Sequence, residues 1–134
     1  MKIGVFSDVH GVVGAFEKTR DQLIYGGADK LIYLGDVVGY VPHMGALKSL
    51  MTANITALRG NHEAMLIMDN IPANKDDIYQ LTYFQNNVTV DERNYINSLP
   101  ENYEEIIEGV RCFFVHGSPD DHVSGYVYPD TNLK

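Results

Sequence analysis

The sequence predicts a mixed α/β protein in which short parallel strands alternate with helices. Three apolar, strand-like segments lie within residues 4–11, 30–36 and 54–62, and segments with helical spacing of apolar residues separate them. This order of strand, helix, strand, helix, strand is typical of parallel βαβ units. Each strand also runs into glycine and polar residues, so we expect one edge of the sheet to collect polar side chains.

The two helices between these strands have clear apolar faces. The first helix follows the first strand, and Gly26 and Gly27 end it because glycine readily adopts the left-handed conformation of a helix terminus. The second helix is predicted to start at Pro42, whose fixed φ suits the first helical position. Its apolar stripe consists of Ala46, Leu47, Leu50 and Met51.

The segment between residues 64 and 99 has a helical pattern that is interrupted. Residues 70–77 are polar and contain Pro72, which indicates a loop. Thr89 and Glu92 have the spacing of a capping box, so a helix is predicted over residues 90–98.

The last third of the chain is predicted to form a β-hairpin. Residues 102–117 contain two strand-like runs, and Glu108 and Gly109 form the turn between them. The chain contains no internal repeat and no linker that would divide it. We therefore expect residues 1–134 to be a single domain.

Composition excludes several classes of function. A net charge of -8 is unfavourable for binding duplex nucleic acid, which requires a basic surface. The single cysteine, Cys112, excludes an intrachain disulfide framework and fits a reducing compartment. The sequence shows neither a signal peptide nor an apolar stretch of membrane-spanning length. These observations predict a cytoplasmic protein with no membrane partner.

Acids and imidazoles gather where the predicted strands end. Asp8 and His10 are two residues apart, so on an extended chain their side chains point the same way. A solvated aspartate and a helix-capping histidine are the alternative interpretation of this pair. Ligands of open parallel sheets bind at the carboxyl ends of the strands. The polar residues at or after these ends are Asp8, His10, Asp36, Asn61, His62 and His116.

These residue types are suitable ligands for divalent metal ions. Carboxylate, imidazole and amide oxygen suit manganese, iron, zinc or cobalt, and no thiolate is nearby. Two carboxylates with several neutral ligands can hold two ions if one carboxylate is shared. A pair of ions polarises a phosphoryl oxygen and makes metal-bound hydroxide available near neutral pH.

Four blocks of the sequence resemble, in order, those of the calcineurin-like dinuclear metallophosphoesterases, most closely the small prokaryotic phosphodiesterases. The blocks are D-x-H at residues 8–10, GDVVGY at 35–40, GNHE at 60–63 and VHGSP at 115–119. The resemblance implies a layered α/β/β/α sandwich of the metallophosphoesterase type. It also implies two divalent metal ions, with manganese as the first candidate and iron, zinc, nickel or cobalt as alternatives.

The resemblance also implies roles for the individual residues. Asp8 and His10 would bind the first metal, Asp36 would bridge both, and Asn61 and His116 would bind the second. His62 would face the substrate at the rim of the site and protonate or stabilise the leaving oxygen. Asn61 is also a candidate substrate ligand. Two further residues are weaker candidates for the substrate mouth, Arg59 and His43.

The family's closing G-H-x-H block has no counterpart in this sequence. His122, in the loop after the last strand, and His43 are the remaining histidines, and neither replaces the block on motif grounds. We therefore expect a truncated domain, incomplete at its C-terminus. An uncovered sheet edge would then favour a homo-oligomer.

These observations predict a metal-dependent phosphoesterase that hydrolyses a small phosphodiester or phosphomonoester. The alternative is a catalytically weak or inactive scaffold of the same fold that binds a protein partner. A nucleotide-binding protein without turnover is a third interpretation. It depends on aromatic residues that could equally belong to the core, namely Tyr79, Tyr83, Phe84, Tyr126 and Tyr128.

Overall fold

The computed structural model describes residues 1–132 and contains a parallel sheet, six helices and a β-hairpin within that range. The elements in chain order are β1 (Ile3–Phe6), α1 (Val13–Tyr25), β2 (Lys30–Tyr33), α2 (Gly45–Thr52), β3 (Thr56–Ala57), α3 (Asn61–Ile67), α4 (Asp76–Tyr79), α5 (Leu81–Asn87), α6 (Val90–Ser98), β4 (Asn102–Ile107) and β5 (Val110–Val115).

The parallel sheet has the strand order β1-β2-β3, and both pairings are parallel. Ile3 pairs with Lys30, and the ladder continues to Tyr33, which also pairs with Ala57 in β3. The predicted alternation of strands and helices is therefore confirmed. Because all three strands run the same way, their carboxyl ends meet at one edge of the sheet.

Helix α2 starts later than the sequence pattern indicates. The backbone N–H groups of Val41 and His43 each donate to the carbonyl two residues earlier, at 2.7 and 2.8 Å. These tight turns keep the chain around Pro42 out of the helical conformation, so α2 begins at Gly45. Its apolar stripe is as predicted, with Ala46, Leu47 and Leu50 buried.

The capping box of α6 is confirmed in both directions. Thr89 Oγ1 accepts from Glu92 N–H at 3.2 Å, and a Glu92 carboxylate oxygen accepts from Thr89 N–H at 2.8 Å. The helix spans residues 90–98, as the sequence predicts. Upstream, a left-handed Gln80 with φ of 56° separates α4 from α5, which accounts for the interrupted pattern.

Three aromatic rings form the centre of the core on the α1 face of the sheet. Phe6, Phe16 and Tyr33 contact one another with ring centroids 5.1 to 5.7 Å apart. Gly4 lies beside Leu23 of α1, since a Cβ there would contact that side chain. Burial of this face fixes the register of β1 against β2, because a one-residue slip would expose it.

The hairpin β4-β5 lies on the opposite face of the parallel sheet from α1. Lys30 Nζ donates to Tyr103 Oη at 2.8 Å and to a Glu105 carboxylate oxygen at 2.6 Å. Glu108 and Gly109 have φ of 51° and 83°, the positive values that a tight two-residue hairpin turn favours. The order helix, sheet, hairpin gives the mixed α/β architecture that the sequence predicts. No described helix has the length and apolar character needed to cross a membrane.

Candidate metal centre

A cavity of about 320 Å³ opens at the carboxyl ends of the parallel strands. We call it the metal-ligand cavity. It brings together all six residues that the sequence places at strand ends, and its lining includes Asp8, His10, Asp36, Asn61, His62 and His116. The convergence predicted from the topology of the sheet is therefore observed in the structure.

Three of these residues have a left-handed backbone. Asp8, His10 and Asp36 have φ of 60°, 45° and 61°. Non-glycine residues adopt this conformation at a cost of about 1–3 kcal/mol each, and it clusters at functional sites. Backbone hydrogen bonds between the loops after β1 and β2 stabilise this conformation. The N–H groups of Asp8 and His10 donate to the Gly35 and Asp36 carbonyls at 3.0 and 3.1 Å.

The Glu63 carboxylate holds the loop after β2. It is fully buried, and one of its oxygens accepts from the N–H groups of Asp36 and Gly60 at 2.7 and 2.8 Å. The other oxygen accepts from Val37 and Val38 N–H at 2.9 and 3.1 Å. Sequence analysis did not identify this role. The sequence feature that could have indicated this role is the spacing of Gly60 and Glu63, which matches half of a capping box.

Two glycines leave space for the site. Gly60 lies so close to Asp36 that a Cβ would overlap the Asp36 carboxylate. Gly39, with φ of 97°, lies against the His62 ring, where a Cβ would overlap Nδ1. Larger residues at either position would displace a side chain of the cavity.

Two histidines present the same ring nitrogen to the cavity. The Nδ1 atoms of His10 and His116 lie 3.1 and 3.0 Å from the carbonyl oxygens of Val38 and Leu34. A carbonyl can only accept, so each Nδ1 carries the proton and each Nε2 has its lone pair in the cavity. Such a partner is characteristic of metal-binding histidines.

The groups nearest to the Nε2 atoms of His10 and His116 are oxygen acceptors. His10 Nε2 lies 3.6 Å from Asp8 Oδ1 and 3.8 Å from Asp36 Oδ2. His116 Nε2 lies 3.6 Å from Asp36 Oδ2 and 2.9 Å from Asn61 Oδ1. Lone pairs pointing at one another are stable only when a cation, either a proton or a metal ion, lies among them.

Asp36 is the group most affected by this environment. It is 3% exposed, and burial followed by the nearby Glu63 charge raises its pKa to about 8. The His10 ring holds the pKa of Asp8 below its usual value. Burial alone would lower the pKa of His10, but Asp8, the Val38 carbonyl and Asp36 outweigh it and raise that pKa. The cavity therefore favours bound positive charge.

The donor set contains two groups of possible metal ligands that share one carboxylate. Two groups of three residues have ligand atoms within 4.8 Å of one another, and Asp36 belongs to both. The groups are His10, Asp36 and His62, and Asp8, Asp36 and His116. Asp36 is therefore common to both groups. The groups place Asp8 with His116 and His10 with His62, whereas the resemblance implies that Asp8 and His10 share a metal.

His62 lies deeper than the rim position predicted for it. It is 2% exposed, and Tyr40 stacks on its ring with centroids 5.0 Å apart. Its Nδ1 has no hydrogen-bond partner among the described residues, in contrast to His10 and His116. Burial, and then the charges of those two histidines, lower the pKa of His62 to about 4.

The weaker substrate candidates lie elsewhere. Arg59 donates to the Asn97 carbonyl at 3.0 Å and pairs with Glu101 at 3.6 Å, so its guanidinium is directed toward the end of α6 and does not line the cavity. His43 accepts from Gly45 N–H at 3.0 Å and also lies outside the lining. His122 contacts Asn102 and the Pro119 carbonyl, and it is equally outside.

Comparison with protein families agrees with this geometry. The model of the calcineurin-like phosphoesterase superfamily domain matches residues 1–132, almost the whole chain. The chain belongs to this superfamily. Membership implies divalent metal ions, and the two groups that share Asp36 supply residues that could hold them.

Individual relatives of this phosphoesterase-superfamily chain are distant in sequence. The uncharacterized protein MJ0912 of Methanocaldococcus jannaschii is 26% identical over 132 residues, which are 96% of this chain and 54% of that protein. The chain therefore spans about half the length of this curated relative.

Solved structures extend the comparison. A metallophosphoesterase from Sphaerobacter thermophilus is 27% identical with a TM-score of 0.70, covering 96% of this chain and 51% of its own. The hypothetical protein PH1004 from Pyrococcus horikoshii has a TM-score of 0.77 at 22% identity, covering 97% of this chain and 60% of its own. The latter likeness shows the fold alone.

Replacing Glu63 by glutamine should destabilise the protein by about 2–4 kcal/mol, because four N–H donors would face one amide oxygen and an amide N–H. Urea unfolding of the metal-free protein measures this change. The control is Glu104→Gln, since Glu104 forms an exposed ion pair with Arg111, and its replacement should change stability by less than about 1 kcal/mol. Equal effects of the two substitutions would contradict the role assigned to Glu63.

Asp36→Asn should stabilise the metal-free protein at pH 8 but not at pH 4. With the folded pKa raised to about 8, the native state holds a proton that the unfolded state releases above about pH 4, so wild-type stability falls between these values. The difference between variant and wild type should widen by up to about 1.4 kcal/mol per pH unit.

Thermal unfolding in a chelator across this pH range tests the prediction, with the exposed Asp130→Asn as control. Added manganese should raise the melting temperature of wild type and of Asp130→Asn far more than that of Asp36→Asn. Asp8→Asn should also reduce this manganese-dependent increase, but by less than Asp36→Asn does. A pH-independent difference between Asp36→Asn and wild type would show that Asp36 is ionised in the folded metal-free protein.

Proposed function

We propose that this protein is a metal-dependent phosphoesterase that hydrolyses a small phosphodiester or phosphomonoester. The observation that carries the proposal is that His10 Nε2 and His116 Nε2 both approach Asp36 Oδ2, at 3.8 and 3.6 Å. Both imidazoles are oriented by backbone carbonyls, so their lone pairs are directed at the place where a cation would bind. The superfamily match supports the same chemistry.

Divalent ions at such a site supply Lewis-acid activation of the phosphoryl group and lower the pKa of a bound water. Asp36 would contact both ions, because it belongs to both ligand groups. Asp8 and His116 would complete one group, and His10 the other. Asn61 Oδ1 lies 2.9 Å from His116 Nε2 and would supply an additional oxygen ligand. Manganese is the first ion to test.

His62 would act on the substrate rather than on a metal. Its Nδ1 faces Gly39 and lacks the carbonyl partner that His10 and His116 have, so Nε2 is the ring nitrogen available to the cavity. A pKa of about 4 makes the ring neutral at pH 7. We therefore infer that a neutral Nε2–H donates a hydrogen bond to the leaving oxygen and stabilises its developing charge.

Hydrolysis of bis-p-nitrophenyl phosphate and p-nitrophenyl phosphate by the purified protein tests the proposal. Manganese should give release of nitrophenolate from one of these esters, a chelator should abolish it, and restored manganese should recover it. Asp36→Asn purified in parallel is the control for contaminating enzymes. Release that does not exceed that of Asp36→Asn would contradict the proposal and leave the scaffold interpretation.

His62→Ala should lower kcat by about 10²–10³-fold while manganese occupancy stays near that of wild type. The loss should be larger for a phenyl ester than for a nitrophenyl ester, because the better leaving group needs less stabilisation. Steady-state kinetics and metal analysis of the same samples measure both effects. His62→Gln retains an N–H donor and should recover part of the rate, whereas loss of bound manganese in His62→Ala would assign His62 to the metal.

A further inference from the structure

A second cavity adjoins the metal-ligand cavity. We call it the side cavity, and its volume is about 360 Å³, within the range of small-molecule sites. Four residues line both cavities: Asn61, Tyr79, Ser124 and Tyr126. A phosphate ester with its phosphorus near Asp36 could therefore extend its organic group into the side cavity.

The walls of the side cavity are mainly apolar and aromatic. Ala64, Met65 and Met68 contribute one wall from α3 and the residue that ends it, and Pro72 adds to it. Methionine side chains are polarizable and adapt to flat rings. Asn70, with Ser124, provides polar side chains in the same lining, so the cavity suits a ring that carries hydrogen-bonding atoms.

Tyr126 lies at the junction of the two cavities with its ring exposed. It is 74% exposed, and one side of the ring stacks on Tyr128 with centroids 6.1 Å apart and planes 22° apart. A single exposed tyrosine is ordinary, but this ring lines a cavity. A flat ligand ring can stack on such a platform with little ordering of the protein.

Lys75 supplies positive charge in the side cavity. Its Nζ lies 5.7 Å from the centroid of the Tyr79 ring, which lines both cavities. Among the described residues that line either cavity, Lys75 is the only lysine or arginine. In a chain with a net charge of -8, a lysine that lines a cavity adjoining the metal-ligand cavity favours an anionic ligand there.

We propose that the side cavity binds the base of a nucleoside-type phosphate ester, with the base on Tyr126 and the anionic phosphate attracted by Lys75. This inference depends on the proposed phosphoesterase function, because the scissile phosphate must lie in the metal-ligand cavity. The aromatic walls favour a base over an aliphatic alcohol, and the net charge favours a single nucleotide over duplex nucleic acid.

Two esters with the same leaving group test the inference. Thymidine 5′-(p-nitrophenyl phosphate) and methyl p-nitrophenyl phosphate both release nitrophenolate, so their kcat/KM ratio reports the contribution of the nucleoside. With manganese present, we expect a ratio of about ten or more, the scale of one base–aromatic stacking contact. Tyr126→Ala should reduce the ratio to about one, and Tyr126→Phe should retain it.

The matched control is Tyr25→Ala, since Tyr25 is an exposed ring at the end of α1 that lines neither cavity. It should leave both rates unchanged. Lys75→Gln should raise KM for the nucleoside ester severalfold and weaken its dependence on salt. A ratio near one in wild type, unaffected by Tyr126→Ala, would overturn the inference while the phosphoesterase proposal stands.

Calorimetry separates the two proposals if neither ester is hydrolysed. With manganese present, thymidine 5′-monophosphate should bind about tenfold more tightly than ribose 5-phosphate, which has the phosphate and sugar but no base. Tyr126→Ala should remove this difference. Equal affinities of the two phosphates would overturn the side-cavity inference, whereas absent hydrolysis with a base-dependent affinity would overturn only the proposed hydrolysis.

Discussion

The buried Glu63 carboxylate is the interaction on which the candidate metal centre depends. It accepts four backbone N–H groups, three from the loop after β2 and one from Gly60. A carboxylate without these partners would be costly to bury, and the loop without the carboxylate would have unpaired N–H groups. The two features stabilise each other, and the loop that results carries Asp36.

The hydrogen bonds of Glu63 also affect how side chains of the site are oriented. Val38 donates its N–H to Glu63 and accepts from His10 Nδ1 with its carbonyl, so the carboxylate indirectly sets the orientation of the His10 ring. Asp36 Oδ1 accepts from His62 N–H at 3.0 Å, which fixes the carboxylate at the start of α3. Because each group holds the next, the left-handed conformation at Asp36 persists despite its cost.

The sequence alone predicted the location of the site but not its internal structure. Residues at the carboxyl ends of parallel strands must meet, so the convergence of Asp8, Asp36 and Asn61 follows from the order of elements. His116 follows β5 of the antiparallel hairpin, and its position depends on the packing of that hairpin against the loop that contains Leu34. The depth of His62 depends on the rings packed over it, and the start of α2 depends on two local turns after Gly39. Such tertiary contacts leave little trace in periodicity or motif spacing.

The contacts of Glu63 are a second feature that the sequence does not predict. The helix dipole favours a glutamate in the first turn of a helix, so this local effect alone accounts for Glu63 at its position in the sequence. Its bonds to Asp36, Val37 and Val38 cross 25 to 27 residues of sequence. Only the packing of α3 against the loop after β2 reveals them, because no local pattern specifies which backbone groups a buried carboxylate will meet.

Helix α3 connects the two cavities in a single rigid element. Its first turn places Asn61 and His62 in the metal-ligand cavity, and its later turn contributes Met65 to the side cavity. A helix rises about 5.4 Å per turn, so a group bound along α3 would lie one turn from the phosphate. Since Glu63 anchors the same helix to the loop that carries Asp36, the distance between metal ligands and side cavity is set by the interaction that builds the site.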